Sequence, residues 1–356
     1  MTIKKKKALV ICPGRGSYNK GDLGYLRRYH RDKARFVAAI DVYRNEHDQI
    51  SVSELDGAQN YSLSLHTRGD NASALIYACA YADFLSIDRD RYDIVAVTGN
   101  SMGWYIALAC AGATTALGAL KIINTMGTLM HNSLIGGQLI YPVVDENWCE
   151  IDGRRAELMA LMAQINQLAG HQLYISIELG GLLVFAGTEK ALEALQKQLK
   201  PEQSRFPLRL KNHAAFHTPL QAPVSDEGKA ALPLALFNQP AIAMIDGRGH
   251  LWPPHVSDPG QLWDYTLGEQ VVTTYDFTAA IKVGLCEFAP DCLIILGPGN
   301  SLGAAVAQSM IAMNWHDLSA KTDFIQRQKS SPFVLSMGLP DQRNSVTKPF
   351  SKGVLR

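Results

Sequence analysis

The chain has 356 residues, enough for about two domains, and is 47% hydrophobic with only 19% charged residues, so it can bury a large core. A formal net charge of +1 offers no global field for nucleic acid, and no apolar run reaches the ~18 residues of a membrane span. Six cysteines (Cys12, Cys79, Cys110, Cys149, Cys286, Cys292) have neither paired nor metal-like spacing and read as reduced residues of a cytoplasmic protein.

Lys7 to Cys12 reads as a short buried strand. Its apolar part, Ala8 to Cys12, is too short for a signal peptide. The strand runs into Pro13-Gly14-Arg15-Gly16-Ser17, a glycine loop that offers backbone N–H groups but fits neither phosphate-binding fingerprint. Tyr25 to Arg35 is basic (Arg27, Arg28, His30, Arg31, Lys33, Arg35) and reads as a solvated helix face or a partner patch. Asp70-Asn71 can cap a helix through Leu75, Ile76, Cys79 and Phe84.

The chain is organised around Tyr92 to Gly112. A buried strand (Ile94 to Val97) meets a tight turn, Gly99-Asn100-Ser101-Met102-Gly103, and an apolar helix follows. This is a G-x-S-x-G in the strand–turn–helix setting of a nucleophile elbow. Two glycines let strand and helix approach, and the serine is held strained at the helix N-terminus. The backbone N–H of Met102 is then free for an oxyanion. Thr114 to Met130 repeats apolar residues at helical spacing and should pack beside the elbow helix.

From Gln138 to Leu210 the pattern reads strand, helix (Arg154 to Leu168), two strands around Gly180-Gly181, helix (Lys190 to Leu199), strand. That β-α-β-β-α-β order is ferredoxin-like, and it looks inserted because α/β material resumes after it. His213 to Pro219 (HAAFHTP) follows directly. A strand near Ala241 to Ile245, a Pro/Gly/His-rich loop over 247–260, a helix from Asp276 and a strand at Cys292 to Leu296 complete the core. Gly297-Pro298-Gly299-Asn300-Ser301 then turns into a helix over 302–311. From Gln326 the chain is polar and basic without periodicity, and reads as a draped or partly disordered extension. The fold class is α/β: an α/β-hydrolase-like core with a parallel sheet over 1–133 and 212–325, a ferredoxin-like subdomain over 134–211, and an extension over 326–356.

CPGRGSY, GNSMG, AFHTP and LGPGNSL, in this order around the inserted subdomain, resemble the malonyl-CoA:acyl-carrier-protein acyltransferase family over about residues 7 to 315. The family also supplies the acyltransferase domains of polyketide synthases. The resemblance implies Ser101 as nucleophile, His217 as its base, and Gln270 as the residue whose backbone carbonyl orients the histidine. It implies an oxyanion hole made by the N–H groups of Met102 and Arg15. It also implies acyl-CoA and an acyl carrier protein as partners, with CoA and phosphopantetheine thioesters as substrates and no bound cofactor. An imidazole can activate the serine, and a carbonyl can replace the third carboxylate.

The sequence departs from the family around the substrate. Asn100 stands for the usual histidine of the elbow, Trp104 for an acidic residue, and Arg15 for the glutamine of P-G-Q-G-S. Met126, 25 residues after Ser101, stands for the arginine that clamps a malonyl carboxylate. Ser176 and Glu178 replace hairpin asparagines. Met126, Asn100, Met130 and Arg15 are therefore the candidate substrate shell. A methionine at 126 predicts an uncharged acyl group, since a buried carboxylate needs a cationic partner. The alternative keeps a charged substrate and gives Arg15 the clamping role.

Three other readings are open to the same residues. An α/β-hydrolase lipase or esterase would use His250 or His255 as base. An acyl hydrolase would release the acyl group from carrier proteins to water. A non-enzymatic protein would only dock carriers. His213 and His217 lie i, i+4 in a loop without a third ligand, so no metal site is expected.

Overall fold

The computed structural model describes residues 4–348. Its strands in chain order are β1 (Lys6–Cys12), β2 (Tyr92–Gly99), β3 (Gly137–Pro142), β4 (Leu173–Leu179), β5 (Leu182–Gly187), β6 (Leu208–Leu210), β7 (Ala243–Ile245), β8 (Leu251–Trp252), β9 (Tyr275–Asp276), β10 (Cys292–Ile295) and β11 (Val334–Ser336). Ala8 to Cys12 of β1 are buried on both faces, as expected for a strand covered by helices above and below.

The main sheet has the order β11-β10-β1-β2-β7-β8. It is parallel from β11 to β7, and only β8 runs antiparallel, against β7. The three glycine loops of the sequence therefore leave the carboxyl ends of three adjacent strands: 13–17 after β1, 99–103 after β2, and 297–301 after β10. Loops at the carboxyl ends where an open α/β sheet changes winding direction are where such folds bind ligands. A Cβ on Gly299 would stand 2.4 Å from the carbonyl oxygen of Ser17, so that loop takes glycine to pack against its neighbour.

The second sheet has the order β6-β3-β5-β4-β9. Its first four strands are antiparallel neighbours in the ferredoxin-like arrangement, carrying helices Arg154–Asn166 and Glu189–Gln198. The unit has its own core of Leu139, Leu158, Ile165, Phe185 and Leu192. β9 pairs in parallel with β4 and ties this sheet to the main body. The hairpin tip reinforces the tie: Gly180 N–H donates to Thr278 Oγ1 at 2.8 Å and Gly181 N–H to Gln308 Oε1 at 3.0 Å.

Three local expectations are corrected. The basic stretch at 25–35 is not one solvated helix. It breaks into helix Tyr25–Tyr29, a short turn at Arg31–Lys33, and the start of helix Ala34–Asn45. His30 is buried and bonded to Asp83 at 2.8 Å, while Arg27, Arg28 and Arg31 remain exposed. Asp70 and Asn71 do not cap a helix but lie inside the first turn of Gly69–Ser86.

The segment after Gln326 is folded as far as Lys348, and the rest of that expected extension lies outside the described residues. Helix Lys321–Ser330 leads to β11, the edge strand beside β10, and helix Pro340–Val346 follows. Arg343 is buried, reaching Asp83 Oδ1 at 2.5 Å and Tyr25 Oη at 3.0 Å. A three-residue strand and a buried ion pair leave no periodicity to read, so polarity alone suggested disorder.

Candidate active site

The elbow is built by close approach. A Cβ on Gly99 would lie 2.3 Å from backbone atoms of Gly103, and one on Gly103 would lie 2.3 Å from the carbonyl oxygen of Cys12. Only glycine lets β2, the turn and helix Gly103–Cys110 meet at that distance. Ser101 pays with a φ of 54°, the left-handed region that non-glycine residues avoid.

His217 is brought to the serine by the loop after β6. Its own φ is 57°, so both members of the pair sit on strained backbone. The subdomain holds this loop through a buried chain. His213 Nδ1 lies 2.8 Å from Gln138 Oε1, Gln138 Nε2 donates to Ser176 Oγ at 2.7 Å, and Ser176 Oγ donates to the carbonyl of Phe216 at 2.8 Å. The inserted unit thus positions the residue next to His217.

Ser101 Oγ and His217 Nε2 are 2.7 Å apart, and His217 Nδ1 is 2.6 Å from the backbone carbonyl of Gln270. A carbonyl only accepts, so Nδ1 carries the proton and Nε2 is left to accept from the serine hydroxyl. Gln270 also braces the other partner: its Nε2 donates to the carbonyl of Ser101 at 3.2 Å, and its Oε1 accepts from Tyr105 Oη at 2.9 Å. It follows a π-helical turn, Tyr265–Glu269, a local widening that recurs at functional sites. Burial lowers the His217 pKa to about 4, and the bond to Gln270 only partly opposes this. The imidazole is therefore neutral at pH 7, the form that can take a proton.

A small cavity opens beside this pair, lined by Arg15, Ser73, Tyr105, Ile123, Gly127, Met130 and Phe216 together with Ser101, Met102, His217 and Gln270. The space left for the centre of a water molecule is about 20 Å³, close to that of a single water. Larger surface grooves near Arg89 and Lys348, and near Tyr43 and Leu117, contain neither Ser101 nor His217. Among the described residues the N–H groups of Arg15 and Met102 have no hydrogen-bond partner, as oxyanion donors require.

Arg15 is partly exposed as a residue, but its guanidinium turns inward. Nη2 donates to the carbonyls of Thr67 and Asn212, each at 2.9 Å, and the group lies over the Phe216 ring, 5.3 Å from its centroid. Nε and Nη1 are buried without a partner among the described residues. Burial lowers its pKa to about 10 and Asp70 acts in the opposite sense, so the group stays cationic at pH 7. Burial and then the charge of Arg15 hold the His213 pKa well below its ordinary value.

The expected residues thus separate. Ser101, His217, Gln270, Met102, Arg15 and Met130 come together around one cavity. Met126 and Asn100 do not line it. Met126 is fully buried with its sulfur against Gly228, where a Cβ would come within 2.7 Å of it. On helix Ala116–Asn132 the inward residues are Ile123, Gly127 and Met130, spaced i, i+4, i+7, and residue 126 falls to one side. Asn100 packs beside Gly14. Sequence reasoning missed Ile123, Gly127, Tyr105 and Phe216; the helical spacing held the signal for the first two. Neither His250 nor His255 partners Ser101, so the lipase-type arrangement is absent. Among the described residues no group of three or more His, Cys, Asp or Glu is placed to hold a metal, and no helix is long and apolar enough to cross a membrane.

A strained serine on a strand–helix elbow, paired with a carbonyl-oriented histidine above a parallel sheet, is the geometry of a nucleophile elbow in an α/β protein, and such an arrangement can activate a serine hydroxyl. Comparison with known proteins narrows this. No family model matches the chain. It is 24% identical over 320 residues to a type I polyketide synthase of phenolphthiocerol synthesis from Mycobacterium marinum, covering 85% of this chain but 14% of that protein. It is 22% identical over 251 residues to the malonyl CoA-acyl carrier protein transacylase of Haemophilus influenzae, covering 68% of this chain and 74% of that one. The crystal structure of an acyl-carrier-protein S-malonyltransferase from Burkholderia pseudomallei superposes with a TM-score of 0.72 at 20% identity, covering 95% and 98% of the two chains. The fold is that of the malonyl-CoA:acyl-carrier-protein acyltransferases.

Proposed function

We propose that the protein is an acyltransferase of fatty-acid or polyketide synthesis. It moves an acyl group from a CoA or carrier thioester through an acyl-Ser101 ester to the phosphopantetheine thiol of an acyl carrier protein. The observation that carries this reading is the Ser101–His217–Gln270 relay, with bonds of 2.7 and 2.6 Å. Ser101 Oγ attacks the thioester carbonyl while His217 Nε2 takes its proton. The tetrahedral oxyanion lies against the N–H groups of Met102 and Arg15. The imidazolium returns the proton to the leaving thiolate, and a carrier thiol repeats the steps in reverse. The backbone carbonyl of Gln270 holds the imidazole without adding a second negative charge to a buried site.

The test is incubation with a panel of acyl-CoAs, read by intact mass for acyl-Ser101, with and without a holo carrier protein. Acyl-Ser101 that discharges onto the carrier supports the reading. Acyl-Ser101 that decays to free acid faster than it reaches any carrier replaces it with the acyl hydrolase. No covalent acyl-enzyme with any thioester leaves the non-catalytic docking role. Arg27, Arg28 and Arg31 are the exposed candidates for steering an acidic carrier, and transfer should then slow as salt rises.

A further inference from the structure

We infer that Ser176, in the inserted unit, is a positioning residue for the reaction: its hydroxyl grips the Phe216 carbonyl, and through that peptide it holds His217 against Ser101. The inference rests on the Ser101–His217 pair read above as catalytic. It adds to that pair a residue that does not line the acyl cavity.

The backbone of His217 needs such a grip. Its φ of 57° is one that residues other than glycine avoid. The peptide that joins Phe216 to His217 sets this angle. Turning that peptide over would return His217 to an ordinary φ and carry the imidazole off Ser101. Gln270 steadies the ring at Nδ1, but it does not touch the peptide. The Phe216 carbonyl accepts from Ser176 Oγ at 2.8 Å and from no other donor among the described residues.

The strand that carries Ser176 is shaped to deliver the hydroxyl. The register of β4 against β5 slips between Ile175 and Ile177, which leaves Ser176 as the extra residue of a β-bulge. A bulge re-aims a side chain out of the regular alternation of its strand. Here it sends a fully buried hydroxyl to the loop before His217.

The direction of every bond behind Ser176 is forced from one end. A carbonyl only accepts, so the serine gives its single hydrogen to Phe216. Ser176 Oγ must then accept from Gln138, which turns Nε2 to the serine at 2.7 Å. Gln138 Oε1 is left to face His213, whose Nδ1 donates at 2.8 Å. Gln138 thus fills a lone pair of the serine and offers no acceptor that would divert its hydrogen. The grip on the loop belongs to Ser176.

The test uses a small alkyl fluorophosphonate, a probe that requires no knowledge of the acyl group. Ser101 Oγ attacks phosphorus: an O–P bond forms, the P–F bond breaks, fluoride leaves and the serine proton passes to His217. Intact mass gives kinact and KI for wild type, Ser176→Ala and Gln138→Met. Each variant removes two bonds of the chain, but only Ser176→Ala frees the Phe216 carbonyl. The expected result is a fall in kinact of about 10- to 100-fold in Ser176→Ala, the range for a misplaced catalytic group, with KI unchanged. Gln138→Met should stay near the wild-type kinact. Wild-type kinact in Ser176→Ala, or a change confined to KI, overturns the inference and leaves the catalytic pair intact. An equal fall in Gln138→Met also overturns it, because the chain would then act only through packing. If Ser176→Ala does not fold, Ser176→Cys decides, since its thiol is close in size but a weak donor: an unchanged kinact overturns the inference. No labelling of Ser101 in wild type removes the activated serine, and with it both the acyl-enzyme reading and this inference.

Discussion

The two sides of Ser101 are built by different means. Toward the sheet, the reaction centre is fixed by backbone: glycine contacts at 2.3 Å, left-handed φ values at Ser101 and His217, and the carbonyl of Gln270. Toward the acyl cavity, the wall is made of side chains, namely Ile123, Met130, Phe216 and the anchored Arg15. A backbone frame tolerates almost no substitution, because moving one strand moves them all. A side-chain wall can be re-cut one residue at a time without disturbing the frame. Chemistry and selectivity can therefore diverge at different rates in one small site.

Breaking the frame should cost the most. Ser101→Ala should abolish covalent acylation, and His217→Ala should slow it by about 10²–10⁴, the range for loss of a general base. Intact-mass kinetics checks both. Full loading of Ser101→Ala would place the nucleophile elsewhere and dissolve the contrast.

Next in size is Met126→Arg. This position is fully buried against Gly228 and off the cavity, so the variant buries an unpaired cation. Folding stability should fall by several kcal/mol, as for uncompensated buried charge. Thermal or urea unfolding measures it. If instead the variant folds normally and gains malonyl loading, residue 126 does reach the wall.

The acid limb of kcat/KM should fall near pH 4, where His217 becomes protonated, and not near its ordinary 6.5. Because burial depresses the folded-state value, the unfolded chain binds the proton first. The contribution of His217 to stability is full above pH 6.5 and is lost as pH falls toward about 4. A pH–rate profile with its limb near 6.5 would mean that the imidazole meets water in the working enzyme.

The smallest effect belongs to the wall. Met130→Ala should keep acylation and raise the rate with longer chains by about 10-fold, since one extra methylene in an apolar pocket is worth about 1–3 kcal/mol. A chain-length series of acyl-CoAs reads this out. Loss of all activity in Met130→Ala would show that the wall also supports the frame.

This division also decides what could be read in advance. The elbow was legible because its geometry demands residue types: glycine where backbones touch, serine between them, strand before and helix after. The ferredoxin-like unit was legible from alternating strand and helix patterns with a Gly-Gly turn. The substrate wall was not, because a helix shows its faces only to within a residue or so. One step along Ala116–Asn132 separates Gly127 in the wall from Met126 behind it. The Arg15 side chain carried no pattern at all, since its direction is set by carbonyls more than fifty and almost two hundred positions away. Arg343 escaped for the same reason, its partner Asp83 being 260 positions away.

That last pair imposes a sequence of events on the growing chain. Burial pushes the Asp83 carboxyl up, but the bond from His30 and the charge of Arg343 outweigh it and hold it below the ordinary carboxylate range. Asp83 also accepts from Tyr25 and from the N–H of Gly297, at the loop that follows β10. During synthesis from the N-terminus, β1, β2 and the helix bearing Asp83 exist long before the arginine does. Until β11 is made the edge of the sheet beside β10 is uncovered, and until helix Pro340–Val346 follows the carboxylate has only His30 and neutral donors around it. The segment from β11 to Arg343 is thus a latch that joins positions 260 apart in the chain, and such distant contacts are the slow ones to form. A chain cut before Val334 would keep Ser101, His217 and Gln270 but lack both the edge strand β11 and Arg343.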